Sequence, residues 1–87
     1  MSNVVYGHGF LKALAVLPKA VQERTALSLE WLSVDAFDVR LHTKTLKGEL
    51  TGCYSFRVGR EYRVLFQFVD SGTIQVFDAG HRRDIYR

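Results

Sequence analysis

Five residues of this chain carry side chains suited to chemistry on a phosphate: Arg57, Arg63, His81, Arg82 and Tyr86. Arg57 lies in YSFRV and Arg63 in EYRVLF, at like positions of two alternating segments on either side of a Gly59-Arg60 turn. His81, Arg82 and Tyr86 belong to GHRRDIYR, residues 80–87, which directly follows an apolar run. Two guanidinium groups on one face can fork a phosphate and stabilise the extra charge it gains under attack. An imidazole, with an ordinary pKa of about 6.5, serves as acid or base at neutral pH. A phenol ring stacks on an unpaired base or helps to move a proton. Arginines, a histidine and a tyrosine are together the parts of a metal-free cleavage of RNA. A ribose 2′-OH loses its proton and attacks the adjacent phosphate, and the 5′-oxygen is protonated as it leaves.

Other chemistries find less material. His8, His42 and His81 have no short ligand spacing, and the one cysteine, Cys53, builds neither a disulfide nor a cysteine-based metal site. No metal and no cofactor is expected. There is no GxxxxGK[ST] run for nucleotide phosphates, and Gly7-His8-Gly9 is too short to cradle one. Cys53 stands beside aromatic residues at a strand start, where a buried structural thiol is the common case.

The elements that must position these groups follow from periodicity. Asn3 to Tyr6 is a short apolar run that reads as a first strand. Phe10, Leu14 and Leu17 recur at helical spacing. A second helix from Pro18 to Ser33 carries a stripe of Ala20, Leu27, Trp31 and Val34, broadened by Val21 and Leu32. Residues 35–51 are mixed and polar and read as a loop. Tyr54, Phe56 and Val58 then alternate with Ser55 and Arg57, and Tyr62, Val64, Phe66 and Phe68 alternate with Arg63, Leu65 and Gln67. Asp70-Ser71-Gly72 turns the chain into a strand from Thr73 to Ala79, with Ile74 and Val76 on one face and Gln75, Phe77 and Ala79 on the other. The layout is α+β, with an N-terminal helical hairpin packed on one face of a small antiparallel β-sheet and a short first strand at the N-terminus. The aromatic side of the sheet faces the helices. Arg57, Arg63 and Leu65 point to the open side, toward which His81 and Arg82 are expected to emerge.

Eighty-seven residues suffice for one domain, 1–87, and an apolar fraction of 47% supports a core. No apolar run is long enough for a bilayer, and MSNVVYGHGF lacks the features of a signal peptide, so a cytoplasmic protein without membrane partners is expected. The net charge of +3 is unevenly spread. Residues 1–39 carry three Lys/Arg against four Asp/Glu, and residues 40–87 carry nine against five. Such asymmetry suits a polyanion or an acidic partner addressed by the second half, and equally a strand-rich half that its basic residues keep in solution.

The order L-K-G, C-Y-S-F-R-V-G-R-E-Y-R-V-L-F and G-H-R-R-D-I-Y-R, preceded by F-L-K-x-L-x-x-L-P-K-x-V-Q at Phe10–Gln22, resembles the RelE/ParE superfamily of toxin–antitoxin toxins, most closely the RelE-type mRNA interferases. The resemblance covers nearly the whole chain. It implies an endoribonuclease that cuts mRNA in the ribosomal A site and is neutralised by an acidic antitoxin, partly disordered until it binds. Arg57 and Arg63 then hold the substrate and transition-state phosphate, Arg82 a basic position after the last strand, and Tyr86 the aromatic position near the C-terminus. His42, Lys44, Lys47, Arg60 and Arg83 face mRNA or ribosomal RNA. Some relatives place a lysine, proposed as proton acceptor, where Ser55 stands here, and a serine is a poor base, so that role passes to His81. Two alternatives accompany this reading: a ParE-like poison of DNA gyrase, and a catalytically weak relative that only binds its antitoxin.

Overall fold

The computed structural model describes residues 1–86. The chain runs through β1 (Asn3–Tyr6), α1 (His8–Ala15), α2 (Lys19–Val34), β2 (Lys44–Thr45), β3 (Tyr54–Val58), β4 (Tyr62–Asp70) and β5 (Thr73–His81). These strands form one sheet in the order β1-β5-β4-β3-β2. Every pairing is antiparallel except that of β1 with β5. The direction of β1 has no turn residue to announce it. It is set where the Gly7 amide donates to the Val76 carbonyl at 2.9 Å, pinning the start of α1 against the middle of β5. A Cβ on Gly7 would stand 3.0 Å from that same carbonyl oxygen, so the close approach requires glycine.

The helices meet at Leu17-Pro18, where the Gln22 side chain donates from Nε2 to the Leu17 carbonyl at 3.0 Å and closes the corner. The stripe that α2 buries is only partly the expected one: Leu32 is fully buried and Val21 and Trp31 pack against the core. Thr25, Ser28 and Leu32 are its buried residues, whereas Leu27 and Val34 are exposed. The two hydroxyls are satisfied within the helix, Thr25 by the Val21 carbonyl at 2.7 Å and Ser28 by the Arg24 carbonyl at 3.0 Å. Such back-bonding lets small polar residues enter a core at little cost. Against this face lie Phe10, Leu41, Phe56, Val64, Phe66, Ile74 and Val76, all but fully buried. Leu41 comes from a 3-10 turn at Val39–Leu41, inside the segment read as a loop that could hold a short turn. That segment also contributes the two residues of β2, so the sheet gains an edge strand.

The decisive irregularity lies in β5. Phe66 of β4 opposes Val76, but Leu65 opposes Asp78, so Phe77 is an extra residue. From there on the parity of β5 is reversed. Ala79 opposes Val64 and is buried in the helix-side core, contrary to the simple alternation expected for Thr73–Ala79. Among the described residues no helix is long and apolar enough to cross a membrane.

Candidate active site

The β3–β4 hairpin sets Arg57 directly opposite Arg63. Gly59 supports the tight turn with φ of 65°, a conformation that L side chains rarely adopt. Arg57 is exposed, and Arg63 is half-buried with its guanidinium braced on its own turn. One of its terminal nitrogens, Nη1, donates to the Arg60 carbonyl at 3.1 Å and to the Tyr62 carbonyl at 2.9 Å. This bracing fixes the plane of the group. Arg82 joins from the end of β5. Its amide donates to the Glu61 carbonyl at 2.7 Å, and its Nε lies 3.3 Å from Glu61 Oε2. Arg57, Arg60, Glu61, Arg63 and Arg82 line one cleft of about 240 Å³. Among the described residues Arg57, Arg60 and Arg63 have no carboxylate within ion-pairing distance. Four cations around one carboxylate leave a strong demand for an anion.

His81 does not emerge on the side of Arg57 and Arg63. Beyond the bulge it opposes Tyr62, and the two rings meet edge to face with centroids 5.4 Å apart. Its register neighbour Gly80 opposes Arg63 instead. Both imidazole nitrogens are engaged: Nδ1 accepts from the Arg83 amide at 3.1 Å, and Nε2 lies 3.2 Å from Glu61 Oε2. This pattern assigns the proton to Nε2, donating toward the carboxylate. Glu61 thus joins His81 to Arg82 around the edge of the sheet. It is the side chain of the cleft that parity and motif left unremarked. The available signal was a lone acid inside the basic hairpin GREYR.

The far side of the sheet is less open than alternation implies. The tail folds back so that Ile85 is buried at 9% exposure. Its Cδ1 lies 3.4 Å from the point where a Cβ on Gly80 would sit. Tyr86 follows and donates from its hydroxyl to Ser55 Oγ at 3.0 Å. Ser55 is fully buried, two positions along β3 from Arg57 on the same face. Tyr86 therefore stands about 7 Å along the strand from the arginine pair. Arg87 lies outside the described residues.

The residues expected to meet RNA are dispersed. Lys44 and Lys47 share a shallow cleft with Tyr86. Arg60 belongs to the arginine cleft. Arg83 is exposed, tied by its amide to His81. His42 sits with φ of 50° at the end of the 3-10 turn and lines a groove beside α2. Among the described residues no three His, Cys, Asp or Glu side chains gather to hold a metal ion.

No family model matches the chain, and no curated protein sequence matches it. Solved structures do. The YoeB/ParE toxin from Agrobacterium tumefaciens superposes with a TM-score of 0.78 at 17% identity, covering 92% of this chain and 98% of its own. The archaeal RelE–RelB complex from Pyrococcus horikoshii contains a chain matching with a TM-score of 0.77 at 25% identity, over 95% of this chain and 97% of that one. The toxin–antitoxin complex RelBE2 from Mycobacterium tuberculosis contributes another at 0.71 and 24% identity, with 93% and 98% covered.

Proposed function

We propose that this chain, which has the fold of the RelE/ParE toxin superfamily, is the toxin of a toxin–antitoxin pair and cuts mRNA on translating ribosomes. The observation that carries the proposal is the arginine cleft: Arg57, Arg60, Arg63 and Arg82 around the single carboxylate of Glu61.

In this reaction the scissile phosphate is held between Arg57 and Arg63. The 2′-oxygen forms its bond to phosphorus while its proton passes to Glu61, whose charge His81 and Arg82 support at 3.2 and 3.3 Å. The phosphorane carries more negative charge than the diester, and the two guanidiniums stabilise it preferentially. The bond from phosphorus to the 5′-oxygen then breaks. The proton returns to that oxygen through the Glu61–His81 pair, leaving a 2′,3′-cyclic phosphate and a 5′-hydroxyl. His81 acts through the carboxylate it touches. Arg82 also meets a flanking phosphate, and Tyr86 stacks on or orients the substrate. Lys44, Lys47, Arg60 and Arg83 supply positive charge, and His42 a hydrogen-bonding ring, toward mRNA or ribosomal RNA. An acidic antitoxin segment, ordered on binding, covers the basic surface, and its affinity falls with salt.

The test is to express the chain and map mRNA 5′ ends in translating cells. Codon-phased cuts are expected, and Arg63→Ala should reduce them by about 10²–10³, the usual loss for one transition-state donor. Glu61→Gln should reduce cutting while leaving the fold intact. Uncut mRNA together with cleaved supercoiled DNA in the presence of gyrase would sink the nuclease reading.

A further inference from the structure

A second concavity lies beside the arginine cleft and shares two of its arginines. A groove of about 480 Å³ runs between α2, the 3-10 turn and the β3–β4 hairpin. Arg24, Trp31, Arg40 and His42 line it, and Arg57 and Arg60 line both groove and cleft. The Arg24 guanidinium carbon lies 4.0 Å from where a Cβ on Gly59 would sit, so α2 leans a cation over the hairpin turn. Arg40 is of a different kind. Asp38 forks it, with Nε–Oδ1 at 3.0 Å and Nη2–Oδ2 at 2.8 Å, and its guanidinium lies 4.1 Å over the Trp31 ring. Its charge is largely answered and its plane is held still. A fixed guanidinium plane is a platform for a nucleobase, whereas Arg24, Arg57 and Arg60, with no carboxylate partner among the described residues, suit phosphates.

We infer that this groove seats the single-stranded RNA that flanks the bond being cut, with phosphates on Arg24, Arg57 and Arg60 and a base on the Arg40–Trp31 stack. The inference rests on the reading of the chain as an RNA-cleaving protein. An acidic peptide would equally satisfy the free cations, but it has no use for a charge-neutralised planar platform. Continuity with the cleft through two shared arginines also favours the strand that enters it.

Trp31 is the only tryptophan in the chain, so its fluorescence reports on the groove directly. The intact protein is titrated with a 2′-O-methyl purine-rich 12-mer, which cannot be cut, and separately with a glutamate-rich peptide of equal charge. The expected result is salt-dependent oligonucleotide binding with quenched tryptophan emission, and no comparable quenching by the peptide. Arg24→Ala should weaken binding severalfold and reduce the slope of log affinity against log salt by about 0.7. Arg40→Ala should lower affinity by roughly fivefold or more while barely changing that slope, because a stacking contact rather than a free charge is lost. Unchanged melting temperatures establish that both variants are folded. Oligonucleotide binding without quenching, or equal quenching by the peptide, overturns the inference. Quenching by the uncut oligonucleotide in a protein that never cleaves mRNA upholds the groove and removes the nuclease reading instead.

Discussion

Replacing Tyr86 with phenylalanine removes one oxygen, and the structure specifies where the cost falls. The Tyr86 hydroxyl is the hydrogen-bond partner of Ser55 Oγ at 3.0 Å, and Ser55 has no exposed surface. A buried hydroxyl stripped of its partner costs about 1–3 kcal/mol. Tyr86 is 45% exposed, so solvent reaches the edge of the site and the lower end applies, about 1 kcal/mol. In a domain of this size that is a fall of roughly 4–8 °C in Tm. Ser55→Ala behaves differently, because the phenol left behind turns to water, and its effect should stay within about 0.5 kcal/mol. The double variant Tyr86→Phe/Ser55→Ala removes both polar groups and should recover most of the loss. Thermal unfolding followed by circular dichroism on the four proteins completes the cycle. If the double variant falls by the sum of the singles, or if Ser55→Ala matches Tyr86→Phe, the tail does not depend on this hydrogen bond as argued. The measurement needs no substrate and is independent of any catalytic role for Tyr86.

Three further outcomes follow from the packing and charges. Leu32→Ala, at a fully buried position of α2, should cost about 2–5 kcal/mol in denaturant unfolding, whereas Thr25→Val should cost under about 1 kcal/mol because the Thr25 hydroxyl bonds only within its own helix. Gly7→Ala should destabilise by about 1–3 kcal/mol, since its methyl would stand 3.0 Å from the Val76 carbonyl and push α1 off β5. The Arg40 fork lowers the Asp38 carboxyl to about 2 from its ordinary 3.8. A depressed carboxylate contributes stability that is complete above the unfolded pKa and fades as pH falls through the folded one, here between about 4 and 2. A carboxyl NMR titration should place the Asp38 midpoint near the lower value, and Arg40→Ala should return it toward 3.8. A midpoint unchanged by Arg40→Ala would remove the fork as its cause.

The paired arginines were legible because alternation around Gly59-Arg60 places Arg57 and Arg63 at like parity, and a tight hairpin conserves parity across its turn. The stripe on α2 misled because hydrophobicity alone ranks Leu27 and Val34 above Thr25 and Ser28. Hydroxyls that bond to the preceding turn behave in a core as small apolar groups, and that bond is invisible until the helix exists. Likewise Leu41 sits in a stretch too polar and too irregular for any periodicity to single it out.

The linear order of residues therefore determined the classes of element, the helix side of β3 and β4 and the basic character of the second half. Each of these depends on local periodicity and composition, which a chain expresses before it folds. Only the tertiary structure decided the face of His81. One extra residue at Phe77 reverses every side chain after it, and nothing local in Thr73–His81 distinguishes a bulged strand from a regular one. Tertiary packing alone also brought Glu61 between His81 and Arg82 and folded Ile85 over Gly80. The Glu61 contacts join segments distant in sequence, and their energy exists only when the sheet has already set β4 and β5 side by side.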